Sequence, residues 1–273
     1  MRRPFDIALA TCLGLALAFL LLPVLALFVD VSPGTLLTQL GQDAAVDALV
    51  VSLRTGLVAH ALVLAVGTPA AYFLATRRFR GRSAVLTAIE LPLVLPPAVA
   101  GIALLALFAR RGLLGGTLEA AGVEVAFTQV AVVLAVVFVA APFYLRAAVA
   151  AFESVDPSLL DASRTLGAGP ATTFRRVAVP LAAGGLGAGS ALAWARGTGE
   201  FGATIMFAGS LQGVTQTLPL AIYAQLDVDR TVAVAIGALL VLMSVAVLLT
   251  VRLLPWTRFA SASPIRFGAS GST

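Results

Sequence analysis

Apolar residues run along this chain in long blocks separated by short polar stretches. The blocks cover roughly residues 5–29, 49–76, 84–108, 128–148, 181–207 and 231–254. Runs of about 20 apolar residues cross a bilayer as helices, whereas a barrel strand shows a weaker alternation over about ten residues. No such alternation is present, so the pattern predicts an all-α integral membrane protein with six transmembrane helices. The first block follows Arg2 and Arg3 and exceeds the roughly 7–15-residue apolar core of a cleaved signal peptide, so it reads as a retained helix. The third carries Pro92, Pro96 and Pro97 in "LPLVLPPAVAG". Proline removes a helix donor and clashes with the preceding turn, which predicts a break or kink in the inner half of that span.

Composition strengthens this picture: 60% of the 273 residues are hydrophobic and 11% charged, and the mean hydropathy is +1.01. All 18 basic residues are arginine. Without lysine the chain cannot build a Walker-type phosphate loop or a Schiff base. The net charge of +5 does not imply nucleic acid, because the arginines lie in short clusters between apolar blocks, where they act as topology signals. With the N-terminus inside, the inner segments hold thirteen arginines, among them Arg77, Arg78, Arg80, Arg82, Arg164, Arg175, Arg176, Arg258 and Arg266. The outer segments hold Arg54, Arg110, Arg111 and Arg230, and Arg196 falls within the fifth block. Both termini are therefore expected in the cytoplasm. The outer stretch 109–127 reads as a short amphipathic piece that dips back into the membrane. Cys12 stands alone and cannot form an internal disulfide. His60, the single histidine, reads as a packed or hydrogen-bonded interior residue. No catalytic constellation, metal cluster or cofactor motif stands out.

One inner stretch would be uncomfortable in hydrocarbon: "DASRTLGAGPATTFRRVAVP", residues 161–180. Asp156 can cap a helix that starts at Pro157, and that helix should stop at Gly167 or Gly169. Leu159, Ala162, Ser163 and Leu166 fall on one face of it. A second helix can start at Pro170 and carry Phe174, Arg175 and Arg176 toward Pro180.

The order Asp161-Ala162-Ser163, three residues, Gly167, nine residues, Val177-Ala178-Val179-Pro180 resembles the coupling loop of binding-protein-dependent ABC importer permeases of type I. Asp, Ser and Val depart from the residues usual there, while the spacing is intact. The resemblance implies that Asp161, Ala162, Ser163, Arg164, Gly167 and Pro180 couple the chain to a separate ATP-binding ABC ATPase subunit. "GEFGATIMFAGSLQGVTQTLPLAIY", residues 199–223, is similar to molybdate permease subunits and more distantly to sulfate permeases. It implies a membrane subunit that imports molybdate or tungstate in the inner membrane. Its partners would be an extracytoplasmic oxyanion-binding protein, a second permease copy and membrane lipid, with no nucleic acid and no cofactor. A sulfate or thiosulfate permease is the alternative. An ion-coupled secondary transporter would want more acidic or histidine residues in the spans. The chain divides into an N-terminal helix and outer loop over 1–48, a permease core over 49–254 with coupling loop 152–180, and a cytoplasmic tail over 255–273. Pro96, Pro97, Glu200 and Thr204 are candidates for the translocation path or gate. Arg196 and Glu200, four apart, would brace the fifth span if its helix continues.

The arginine pattern makes a direct prediction. In a Cys12→Ser background, a cysteine at Ser163 should be labelled by an impermeant maleimide only from the cytoplasmic side, and one at Gln39 only from outside. Labelling of position 163 from outside would reverse the orientation.

Overall fold

The computed structural model describes residues 2–29 and 32–253. The tail 255–273, with Arg258 and Arg266, lies outside the described residues. Every regular element among them is helical: α1 (Arg2–Val29), α2 (Pro33–Leu40), α3 (Asp43–Thr76), α4 (Arg82–Val94), α5 (Pro97–Phe108), α6 (Gly115–Ala120), α7 (Gln129–Glu153), α8 (Pro157–Thr165), α9 (Pro170–Thr173), a π turn (Phe174–Ala178), α10 (Val179–Thr198), α11 (Gly202–Ala208), α12 (Leu218–Gln225) and α13 (Arg230–Leu253). Five stretches are long and apolar enough to cross a membrane: one each in α1, α3, α7 and α13, and one from α9 to α10. The pair α4–α5, bent by 113° at its break, has together the length and apolarity of a sixth.

That bend is far sharper than a kink, and the sequence explains it. Leu95 precedes a proline, which disfavours its helical conformation. Pro96 takes φ −55° and ψ 135°, and Pro97 then opens α5 at the position where a missing N–H costs nothing. The fifth apolar block departs further from expectation. It is not one helix to Phe207: α10 stops at Thr198 and α11 starts at Gly202. Arg196 thus ends up in α10 and Glu200 in the interruption, instead of four apart on one helix. The segment 109–127 holds the six-residue α6, beside which Arg110 Nε donates to Glu119 Oε1 at 2.7 Å.

The chain sorts into two compact units, one of residues 1–59, 95–139 and 197–246, the other of residues 60–94, 140–196 and 247–273. In the first, Ala100 and Leu104 of α5, Val132 and Val136 of α7 and Phe207 of α11 form one core cluster. Ala45 and Ala48 of α3 meet Leu218 of α12 and Ile236 of α13 in another. Lipid tails are as apolar as leucine, so membrane helices associate through close packing of small residues. Gly101 lets α5 approach α11: a Cβ there would lie 2.6 Å from Met206 Cβ and 2.7 Å from the Ala203 carbonyl. Gly202 reciprocates against Pro97, at 2.5 Å.

The second unit uses the same device. Gly185 and Gly189 of α10 face Ala151 and Ala147 of α7, where added Cβ atoms would come within 2.5 and 2.7 Å of the alanine methyls. Tyr144 lies over Gly67, and its hydroxyl shares a 2.6 Å hydrogen bond with Thr68. His60 is interior as expected, sharing a 2.8 Å hydrogen bond with Ser190 and meeting the Trp194 ring edge-on.

Two alanine substitutions separate these contacts from bulk helix propensity. Gly101→Ala should lower the thermal stability of the solubilised protein by roughly 1–3 kcal/mol, the usual cost of overpacking. Gly237→Ala, at a helix position with open space around it, should raise stability by about 0.5–1 kcal/mol. Thermal unfolding of the two variants against the parent checks both signs.

Candidate functional site

The polar loop leaves α7 at Glu153. Asp156 Oδ1 accepts from the Ser158 N–H at 2.9 Å and caps α8, with Pro157 as first residue. The other end of α8 closes with two reverse hydrogen bonds: Gly167 N–H to the Arg164 carbonyl at 3.0 Å, and Ala168 N–H to the Ser163 carbonyl at 3.1 Å. Gly167 sits at φ +86°, a left-handed conformation that costs any residue with a Cβ. Gly169 precedes Pro170, which starts α9. Ser163 and the fully buried Thr173 share a 3.1 Å hydrogen bond that folds α8 back on α9.

The orientation of α8 is informative. Leu160 is buried, whereas Leu159 is 47% and Leu166 87% exposed, and Ala162 is exposed between them. Of the face expected from the spacing, Leu159, Ala162 and Leu166 therefore point outward, while Ser163 turns to Thr173. Asp161 and Arg164 pair with each other at 2.9 Å on the surface. Arg175 and Arg176 are exposed on the π turn that follows. Pro180 enters α10 one residue beyond Val179, its C-cap. Proline would clash with the carbonyl four residues back in a regular helix, and the wider π turn accommodates it. Tyr72, Phe152 and Phe174 pack ring to ring at 5.3, 4.9 and 6.3 Å and hold the two ends of the loop to α3.

The second group lies where α5 and α11 begin. Pro96 and Pro97 are exposed at the bend, and Pro97 touches Gly202. Glu200 is buried and accepts from the Ala203 N–H at 2.7 Å, so a carboxylate already occupies the start of α11. Thr204 is fully buried, and its hydroxyl finds no hydrogen-bond partner among the described residues. The structure thus draws the two helix starts together and distributes Pro96, Pro97, Glu200 and Thr204 between them. The turn from α11 to α12 is stitched by residues that had drawn no notice in the sequence. Ser52 Oγ accepts from the Leu218 N–H at 2.8 Å and caps α12, and Gln212 donates to Asp47 at 3.0 Å. Ser52 and Asp47 lie about 165 residues away from their partners in sequence, so no local pattern exposes these bonds.

Five long apolar stretches and a sharply bent sixth pair make this a polytopic membrane protein. More specifically, the chain belongs to the binding-protein-dependent transport system inner membrane component family, whose model matches residues 67–258. It is 42% identical over 235 residues to the molybdenum transport system permease protein ModB of Mycobacterium tuberculosis, covering 86% of this chain and 89% of that one. It is also similar to the sulfate transport system permease protein CysW of Synechococcus elongatus, at 36% over 182 residues, 67% of this chain and 64% of the relative. The fold is shared with a bacterial alginate ABC transporter crystallised with an alginate-bound periplasmic protein. That match has a TM-score of 0.72 at 14% identity and covers 93% of this chain and 94% of the other.

The Asp156 cap carries a pH dependence. The Ser158 backbone N–H, and then its hydroxyl, hold the Asp156 carboxyl below its ordinary value. The cap is therefore fully formed above the usual carboxylate range and is lost as pH falls through the depressed value. Amide exchange at Ser158 and Leu159, corrected for intrinsic rates, should accelerate below about pH 4. Asp156→Ala should show fast exchange at every pH.

Proposed function

We propose that the chain is the membrane-spanning permease subunit of an ABC importer for an oxyanion, molybdate or tungstate, driven by ATP hydrolysis on a separate subunit. The observation that carries this reading is α8. A short helix fixed by an Asp cap at one end and a left-handed glycine at the other turns Leu159, Ala162 and Leu166 outward. An apolar face held rigidly away from its own chain is suited to a cleft on a partner. The resemblance of Asp161, Ala162, Ser163, Gly167 and Pro180 to the coupling loop of ABC importer permeases supports an ABC ATPase as that partner, with Arg164 beside it. Similarity to a molybdenum permease over most of the chain supports the substrate. The shorter match to a sulfate permease keeps sulfate as the second reading.

The loop lies in the cytoplasm together with both termini, as the arginine distribution favours. Two copies pair about a two-fold axis, and α1, which buries no side chain over residues 5–29, offers apolar surface to lipid or to the second copy. An external binding protein delivers the anion. Pro96, Pro97, Glu200 and Thr204 line or gate the path between the two broken spans. Passage favours weak anion sites over strong ones. Closure of the ATPases on ATP draws the two α8 helices together and reorganises the path.

The complex reconstituted with its ATPase and binding protein should hydrolyse ATP faster with molybdate present, while the permease alone should hydrolyse none. Calorimetry should find no tight molybdate, tungstate or sulfate site on the permease alone. Gly167→Val strains the α8 terminus by about 1 kcal/mol or more, and should weaken ATPase co-purification roughly fivefold while the permease still inserts. A tight oxyanion site on the isolated chain would instead favour a self-sufficient transporter.

A further inference from the structure

Two ion pairs join α4 to α7. Arg82, the first residue of α4, pairs through Nη2 with Glu153, the last residue of α7. Its Nε also donates to the Leu74 carbonyl at 2.8 Å, a group at the end of α3 that the helix itself leaves without a donor. Further along, Glu90 of α4 meets Arg146 of α7, with Oε1 and Nε 3.2 Å apart. Position 90 is eight residues after 82, and position 146 is seven before 153. The two helices are thus antiparallel and laced by two ion pairs separated by about two helical turns. The signs alternate: arginine then glutamate on α4, glutamate then arginine on α7.

We propose that this two-rung ladder makes α4 and α7 one moving body, which transmits displacement of the α8 loop to the bend at Leu95 and Pro96. The inference rests on the docking role proposed for α8. Three residues separate Glu153 from the first residue of α8, and the bend begins one residue beyond the end of α4. Arg82 therefore ties the root of the loop to the base of the segment that ends in the bend. All four side chains are partly exposed, Arg82 at 27%, Glu153 at 47%, Arg146 at 62% and Glu90 at 44%. Such pairs add little to stability. Their use is geometric: two rungs fix both the register and the rotation of α4 on α7, which one rung cannot. Arginine suits the lower rung because its fork reaches a carbonyl and a carboxylate at once, which a lysine ammonium on a flexible stem holds less firmly. Arg82 and Glu90 are positioning residues, acting on the path through α4.

The test uses the whole complex, with permease, ATPase and binding protein in lipid nanodiscs and molybdate as substrate. The readout is the ratio of binding-protein-stimulated to basal ATPase activity, with assembly scored by co-purified ATPase. Glu90→Arg and Arg146→Glu should each lower the ratio at least about fivefold while basal hydrolysis and assembly stay at parental levels. Combining them restores the rung with its signs exchanged and should recover most of the ratio. Arg82→Lys should give an intermediate ratio. Single variants that keep the parental ratio, or a double variant no better than the singles, would overturn the ladder while leaving the docking role intact. Loss of assembly in the singles would also overturn it, because the pairs would then be folding elements. A parental complex without stimulation overturns both readings.

Discussion

An apolar chain cannot leave backbone N–H and C=O groups unpaired inside hydrocarbon, and this requirement governs how the molecule breaks its helices. At Pro96 and Pro97 two residues without an N–H remove donors at the point where helical pairing stops. Before α11 the donor is Ala203 N–H and the acceptor is the Glu200 carboxylate. Before α12 it is Leu218 N–H on Ser52 Oγ. The turn between those helices folds the N–H groups of Val214, Thr215 and Gln216 onto the single carbonyl of Leu211. Each break is closed by a side chain, a proline or a local turn, so irregular backbone persists without a standing cost.

Most of the architecture was legible because hydropathy at this length scale has few meanings. The apolar blocks, the break at Pro96 and the two ends of α8 follow from periodicity, proline geometry and capping chemistry, all of which are local. The interruption of the fifth block was not legible. Gly197, Gly199 and Gly202 permit a break, but glycine also marks close helix contact, as Gly185 and Gly189 show on the same segment. What decides is the Glu200 cap, and a carboxylate in an apolar block reads equally well as half of an ion pair. The apolar face of α8 was placed correctly by spacing, yet its outward direction was not, because periodicity gives a face and never its neighbour. Arg82 and Arg146 count in the sequence only among the inner arginines that set topology, and Glu153 carries no local signal. Their pairing depends on α4 running antiparallel to α7, which is a tertiary fact.

The contacts divide by size in a way that matches their roles. Where helices touch most closely one partner is a glycine, set against an alanine methyl, a proline ring, Met206 Cβ or the Tyr144 ring, and glycine has no side-chain freedom to lose. Around the polar loop the ties are long side chains: aromatic rings on Phe152 and Phe174, and guanidinium groups on Arg82 and Arg146. These hold direction while tolerating small displacements. Stiff seams and compliant joints thus coexist in one unit, the joints gathered near the loop.

The π turn at Phe174–Ala178 gives the loop and the seam separate phases. It contains one residue more than an α turn needs, so everything after it is rotated by about 100° relative to a continuous helix. Gly185 and Gly189 meet Ala151 and Ala147 only with that extra residue in place. The turn therefore acts as a vernier. A one-residue deletion between Phe174 and Ala178 would leave the composition of α10 untouched yet bring Leu186 and Ser190 to the places of Gly185 and Gly189 against α7. The length of these five residues is therefore set by the glycine–alanine seam that follows them.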